Sequence, residues 1–180
     1  MPEVQIRPVM KDDLESLKLI STTYSSSRVW QLERPADDGG MGSLFREVRL
    51  PRDARIEYPR SAGQIFWGFD QNKDLFLTAV MDGIPVGYLH LSNEVAPQTA
   101  WVKDWVVRED LRRRGIGATL LLAGQEWSAE ADYRRIVVEM QSKNYPAICL
   151  VRKLGFEFSG FSDQFYSNQD IALFFGRALR

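Results

Sequence analysis

The run Arg112-Arg113-Arg114-Gly115-Ile116-Gly117-Ala118-Thr119 joins two segments of different period. Before it, Trp101 to Val107 reads as a strand; after it, Ile116, Leu120, Ala123, Trp127 and Ala131 recur as one face of a helix. The chain must therefore pass from strand to helix through a charged loop whose glycines stand where the helix begins. Glycine lets the backbone come close to a bound group, and a helix's first turn presents N–H groups without intrahelical partners, which favours an anion. Three arginines add charge-assisted hydrogen bonding. The segment is predicted to hold a phosphate group, the plain alternative being an arginine-rich loop before a glycine-started helix. It is not a dinucleotide fingerprint, because Leu120 stands where a third glycine is required, and no Gly-x-x-x-x-Gly-Lys-Ser/Thr run occurs.

The remaining segments build around that join. Val4 to Val9 alternates weakly as a strand, and Asp12 or Asp13 is placed to cap a helix carrying Leu14, Leu17 and Ile20. From Ser25 to Gly63 both periods fade. The serine triplet, Asp37-Asp38-Gly39-Gly40 and several prolines predict irregular backbone, with Leu44 to Leu50 as a candidate helix. Leu75 to Met81 and Ile84 to Leu91 predict a hairpin, since Asp82-Gly83 suits the positive φ of a type I′ turn. Ile136 to Gln141 predicts a strand. Asn144 and Pro146 then open a short helix with Ala147, Leu150, Val151 and Leu154 on its apolar face, which Gly155 ends. Phe156 to Phe161 and Ile171 to Phe175 supply the last strands. Trp67, Phe69, Phe76 and Trp127 read as core. The order β-α-β-β-β-α-β-α-β-β implies an α/β (α+β) fold: a mixed, mostly antiparallel central sheet with helices on both faces, in one domain over residues 1–180.

Charge narrows the partners. Among 180 residues, 23 Lys and Arg face 24 Asp and Glu, so no global field gathers nucleic acid or anionic membrane, and any anion site must be local. No long apolar run is present, and MPEVQIRPVMKDDLESL carries acids where a signal peptide needs an apolar stretch, so a soluble cytoplasmic protein is expected. One cysteine, Cys149, and one histidine, His90, exclude an intramolecular disulfide and a structural zinc cluster, and no metal is expected. A homodimer is left open.

Arg112-x-x-Gly115-x-Gly117 resembles the acetyl-CoA motif of the GNAT superfamily of N-acetyltransferases, in the position after a strand and at a helix start that the family uses. Downstream, Asn144-Tyr-Pro-Ala147 with Lys153-Leu-Gly155-Phe156 is similar to the family's second signature. The C-terminal run Gly155 to Phe161, followed by Tyr166 and Ile171 to Phe175, resembles that of streptothricin-type acetyltransferases. The resemblance implies a sheet splayed between Trp105-Val106-Val107 and Ile136 to Gln141, with the pantetheine arm of acetyl-CoA along the first of these strands. It further implies that the backbone from Arg113 through Arg114, Gly115, Ile116 and Gly117 to Ala118, the loop as far as Thr119 and the Arg112 guanidinium hold the pyrophosphate, and that Asn144 contacts the cofactor.

Direct transfer of an acetyl group to an amine needs a proton acceptor for the amine and a donor for the leaving thiolate. Asp104 and Glu139, on the strands expected to splay, are the candidate acceptors; the alternative is a surface or ion-paired strand carboxylate for each. The family's acid is a tyrosine at the position of Val151, so Tyr145 and Tyr166 become the candidates. His90 reads as a packed or exposed strand residue, and Cys149 as a buried structural thiol. The acceptor is expected to be a cationic amine of a small molecule or peptide, met partly by Trp30, Glu33, Asp37, Asp38, Glu57 and Tyr58. The competing reading is a non-catalytic acyl-CoA-binding regulatory module.

Overall fold

The computed structural model describes residues 3–34, 36, 39–67, 70 and 74–179; Asp37, Asp38 and Phe69 lie outside them. Val4–Pro8 forms strand β1, and a 3₁₀ turn over Lys11–Asp13 leads into helix α1, Leu14–Lys18. Asp13 closes that turn from its third position instead of capping it from the front. Its carboxylate accepts the Met10 N–H at 2.8 Å and receives both guanidinium nitrogens of Arg7.

The stretch predicted to be irregular is a long antiparallel ribbon of β2, Tyr24–Glu33, and β3, Leu44–Ile56, so the helix suggested for Leu44 to Leu50 is a strand. Both faces of the ribbon carry charge, which erases the period-two apolar signal. Cross-strand pairs replace it: Arg28 with Glu47, and Arg46 with Glu33 at 2.6 Å. Ser61 then caps helix α2, Ala62–Ile65.

Strands β4, Leu75–Met81, and β5, Ile84–Ser92, turn on Asp82 and Gly83 with φ of 50° and 78°, as the pair predicts. Next come β6, Thr99–Val107; helix α3, Ile116–Glu130; β7, Arg135–Gln141; helix α4, Tyr145–Lys153; β8, Glu157–Ser162; and β9, Ala172–Ala178. Seven strands make the main sheet in the order β1-β4-β5-β6-β7-β9-β8. Every neighbouring pair is antiparallel except β6 with β7. The mixed sheet expected from the sequence is present, and no helix among the described residues is long and apolar enough to cross a membrane.

One face packs on α3 and α4 through Leu89, Leu91, Val102, Leu120, Leu121, Ile148 and Val151. The other packs on α1 and α2 through Leu17, Ile65, Phe66, Phe76, Tyr88 and Val106. The buried side of α3 is turned from the expected stripe: Ile116, Leu120, Leu121, Gly124 and Ser128 lie inward, while Ala131 is exposed. Small residues let that helix approach β5 closely. Trp67 is also not core, being 86% exposed, whereas Phe76 is buried.

Gly87 is the tightest backbone approach in this layer, since a Cβ there would sit 2.8 Å from the Val106 carbonyl oxygen and 3.3 Å from Leu120 Cδ1. Gly87→Ala is expected to cost about 1–3 kcal/mol by overpacking, read as a lower urea midpoint with an unchanged m-value. An unaltered midpoint would show that β5 and β6 move apart freely.

Candidate active site

The single parallel ladder in the sheet is short. It pairs Thr99 to Val102 with Arg135 to Val138 and ends there, although β6 runs on to Val107 and β7 to Gln141. Beyond Val102, then, β6 keeps β5 on one side and leaves its other edge without a ladder partner. Trp105, Val106 and Val107 lie on that free edge.

The chain leaves the edge through a 3₁₀ turn at Glu109–Leu111 and enters α3 with Arg113 and Gly115 both left-handed, at φ of 65° and 88°. Such a turn points successive N–H groups inward, and the first intrahelical bond runs only from Thr119 N to Gly115 O at 3.0 Å. The amides of Ile116, Gly117 and Ala118 are thus the open donors of a helix start. Gly117 backs onto Trp105: a Cβ would lie 3.2 Å from the indole Cζ2, and the indole N–H donates to Gly117 O at 3.1 Å. The segment has the form of an anion cradle.

Arg112 does not face that cradle. Its guanidinium donates to the carbonyls of Val107 at 2.8 Å, Thr23 at 2.8 Å and Ser21 at 3.2 Å. Burial holds it below its ordinary arginine range. It clamps the loop to the chain entering β2, which leaves the exposed Arg113 and Arg114 as the cations nearest the amides. Asn144 Oδ1 accepts the Ala147 N–H at 3.3 Å and caps α4.

On the α1–α2 face, at the mouth of the gap, a charged cluster is buried. Arg60, from the connection between β3 and α2, donates through one terminal nitrogen to Glu139 Oε1 at 3.0 Å, to Lys103 O at 2.7 Å and to the Tyr58 hydroxyl at 2.7 Å. Its Nε lies 2.9 Å from Asp104 Oδ1, an ion contact without hydrogen-bond alignment. The Tyr58 hydroxyl donates to the same carboxylate at 2.8 Å, and Trp101 Nε1 donates to Glu139 Oε2 at 3.0 Å. Burial alone would raise Asp104. The hydrogen bond from His90, the charge of Arg60 and the Tyr58 hydroxyl reverse this and hold it below the usual carboxylate range.

Both carboxylates singled out from the sequence therefore meet, as buried ion-pair partners. Tyr166 joins them: it is 6% exposed, its ring lies under the Arg60 guanidinium, and its hydroxyl lies beside Glu139 without an aligned hydrogen bond to any described residue. Burial pushes that hydroxyl well above its ordinary range, so it stays protonated at neutral pH. Tyr145 is elsewhere, facing the β2–β3 ribbon with Arg28 over its ring. Cys149, beside it, is exposed and not a buried thiol. Val151 is fully buried in the α4 core.

Two members of the cluster went unrecognised in the sequence. Arg60 sits in a stretch with no periodicity, and nothing local marks it. His90 gains meaning only from the register that sets it opposite Asp104, where its Nδ1 lies 2.9 Å from Oδ2 and its ring stacks on Phe76. An ionised carboxylate only accepts, so Nδ1 carries the hydrogen. Of the residues expected to meet the acceptor, Tyr58 reaches the cluster; Trp30 and Glu33 lie on the ribbon, and Glu33 is held by Arg46.

Residues 41–156 match the acetyltransferase (GNAT) family. The chain is 24% identical over 166 residues to streptothricin acetyltransferase of Streptomyces lavendulae, covering 90% of this chain and 86% of that one. It is 30% identical over 122 residues to an N-alpha-acetyltransferase of Saccharolobus solfataricus, covering 58% and 69%. In fold it is similar to nourseothricin acetyltransferase, with a TM-score of 0.83 at 21% identity over 98% of this chain and 99% of that one. A Bacillus anthracis structure assigned as a streptothricin acetyltransferase, in complex with acetyl coenzyme A, superposes with a TM-score of 0.78 at 18% identity over 98% and 100%.

Proposed function

Because the chain belongs to the acetyltransferase (GNAT) family, we propose that acetyl-CoA lies in the gap between β6 and β7 and that an amine meets it from the side of Tyr58, Arg60 and Tyr166. The enzyme is an acetyl-CoA-dependent N-acetyltransferase. The observation that carries the placement is the end of the parallel ladder at Val102 and Val138, immediately before the amide cradle of α3. The residues fit the group: Arg113 to Ala118 offer backbone N–H donors at a helix start, and Trp105 to Val107 offer a free strand edge for an amide-bearing arm. When bound, acetyl-CoA supplies the thioester carbonyl that the amine attacks.

The chain's own groups move the protons. An amine near the pKa of lysine must lose a proton to become nucleophilic. Glu139 is the better acceptor of the two carboxylates, because Asp104 already meets Tyr58, Arg60 and His90 while Glu139 meets Arg60 and Trp101. Tyr166, protonated and beside Glu139 without an aligned hydrogen bond, is the donor best placed for the departing thiolate. Asp104 pairs with Arg60 and orients the His90 ring. The S. lavendulae relative spans more of this chain than the N-alpha-acetyltransferase does, which favours a small-molecule amine over a protein N-terminus.

Incubation with acetyl-CoA and a panel of amines, with release of the CoA thiol followed by a thiol reagent, tests the reading. Binding of acetyl-CoA without release for any amine would instead make this a regulatory binding module. Transfer is direct, so Cys149→Ala is expected to keep its turnover within about twofold of wild type. An acyl-cysteine mass adduct, or lost turnover in the folded variant, would establish a ping-pong route.

A further inference from the structure

The surroundings of the Arg60 guanidinium form a receptor for a cation. Two carboxylates, Asp104 and Glu139, supply charge, Lys103 supplies a carbonyl oxygen, and the rings of Tyr58 and Tyr166 lie 5.4 and 5.6 Å from the guanidinium carbon. The walls come from the main sheet, the connection between β3 and α2 and the loop between β8 and β9. The two carboxylate side chains are 3% exposed, whereas the arginine that fills the cage is 28% exposed. It reaches in from the connection between Ile56 and Ala62, outside the main sheet.

We propose that this cage is the acceptor's cation subsite and that Arg60 is a displaceable occupant, exchanged for a guanidinium or ammonium group of an acceptor that carries a second, nucleophilic amine. Emptying the cage is costly, because two buried carboxylates would be left unpaired; exchanging one cation for another is not. The Tyr166 hydroxyl, buried beside Glu139 and not bonded by Arg60, gives an incoming group an acceptor that Arg60 does not use. The cage also borders Lys103, the first residue of β6 past the ladder, so a ligand held there lies at the mouth of the gap. The acceptor class follows: a molecule with at least two basic nitrogens, one to be held and one to be acetylated.

The inference rests on the acetyl-transfer reading for the fate of the second amine, but the subsite is testable by binding alone. Calorimetry uses methylguanidinium and its neutral isostere methylurea on wild type and on Arg60→Gln. Methylguanidinium is expected to bind Arg60→Gln at least about tenfold more tightly than wild type, because its competitor is gone, and methylurea to bind neither. The gain is expected to vanish in Arg60→Gln combined with Glu139→Gln. Equal or weaker binding to a folded Arg60→Gln overturns the subsite. If Arg60→Gln does not fold alone, refolding it in millimolar methylguanidinium decides the matter: recovery of native circular dichroism supports the exchange, and failure overturns it. Turnover by wild type reports separately on acetyl transfer.

Discussion

Gly117→Glu is expected to abolish acetyl-CoA binding, weakening it by about a hundredfold or more, equivalent to about 2.7 kcal/mol. Two effects add. The new Cβ stands 3.2 Å from the Trp105 indole, whose N–H bond to Gly117 O ties the helix start to the free edge of β6, so the side chain must displace that ring. The carboxylate then sits among the amides proposed to receive a pyrophosphate, where like charge repels. Gly117→Ala keeps the crowding and omits the charge, so it is expected to lose much less. Calorimetry on both variants, with circular dichroism to confirm folding, separates the contributions; an unchanged dissociation constant for Gly117→Glu removes the cradle from the site.

Asp104→Asn is expected to lower stability by about 3–5 kcal/mol, since it strips one of the two carboxylates from buried Arg60 and the ionised acceptor from the His90 ring N–H. A loss of that size lowers the melting temperature by roughly 10 °C in a chain this long. The pH dependence carries the signature. Asp104 is held below its ordinary range in the folded state, so its contribution is complete above the unfolded value near 4 and is lost as pH falls through the lower folded value. Wild type is therefore expected to lose more stability than Asp104→Asn between about pH 5 and pH 2. Urea midpoints measured across that range check it, and parallel acid limbs for the two proteins would show that folding does not lower the Asp104 pKa.

The segment proposed to hold the cofactor was legible as strand, loop and helix start because those signals are local. Glycines, arginines and a change of period within one short run dictate a strand, a loop and a helix start, and the structure places them so. Asp82-Gly83 and Asn144 to Gly155 were readable for the same reason: turn and cap residues act over a few positions. The buried Arg60 cluster, proposed to meet the acceptor, was not legible, because it is assembled from register. Asp104 meets His90 only through the pairing of β5 with β6, and meets Glu139 only through Arg60, whose own segment has no period to read. The ribbon was missed for a related reason. Arg28, Glu33, Arg46 and Glu47 stabilise it by charge pairing across strands, and no alternation of apolar residues announces it. Arg112 shows the opposite error, a motif residue found where expected but turned to the carbonyls of Ser21 and Thr23.

The short parallel ladder has a consequence for how such a protein can change over generations. It divides the sheet into a wing of β1, β4, β5 and β6 and a wing of β7, β9 and β8, joined directly by strand pairing only over Thr99 to Val102 and Arg135 to Val138. Past that point Arg60 links Lys103 and Asp104 of one wing to Glu139 of the other. The residues proposed to meet a substrate there are also those that hold the wings together, so remodelling them for a new acceptor would loosen the sheet. The base of the β2–β3 ribbon spans the same seam, Tyr24 donating to Gln141 at 2.8 Å on one wing and Arg55 pairing with Glu109 on the other, so only its outward-facing positions, such as Arg49, Arg52 and Asp53, are free of that burden. Divergence among descendants of this chain should therefore accumulate on those exposed ribbon positions first, leaving the seam to change only in concerted steps.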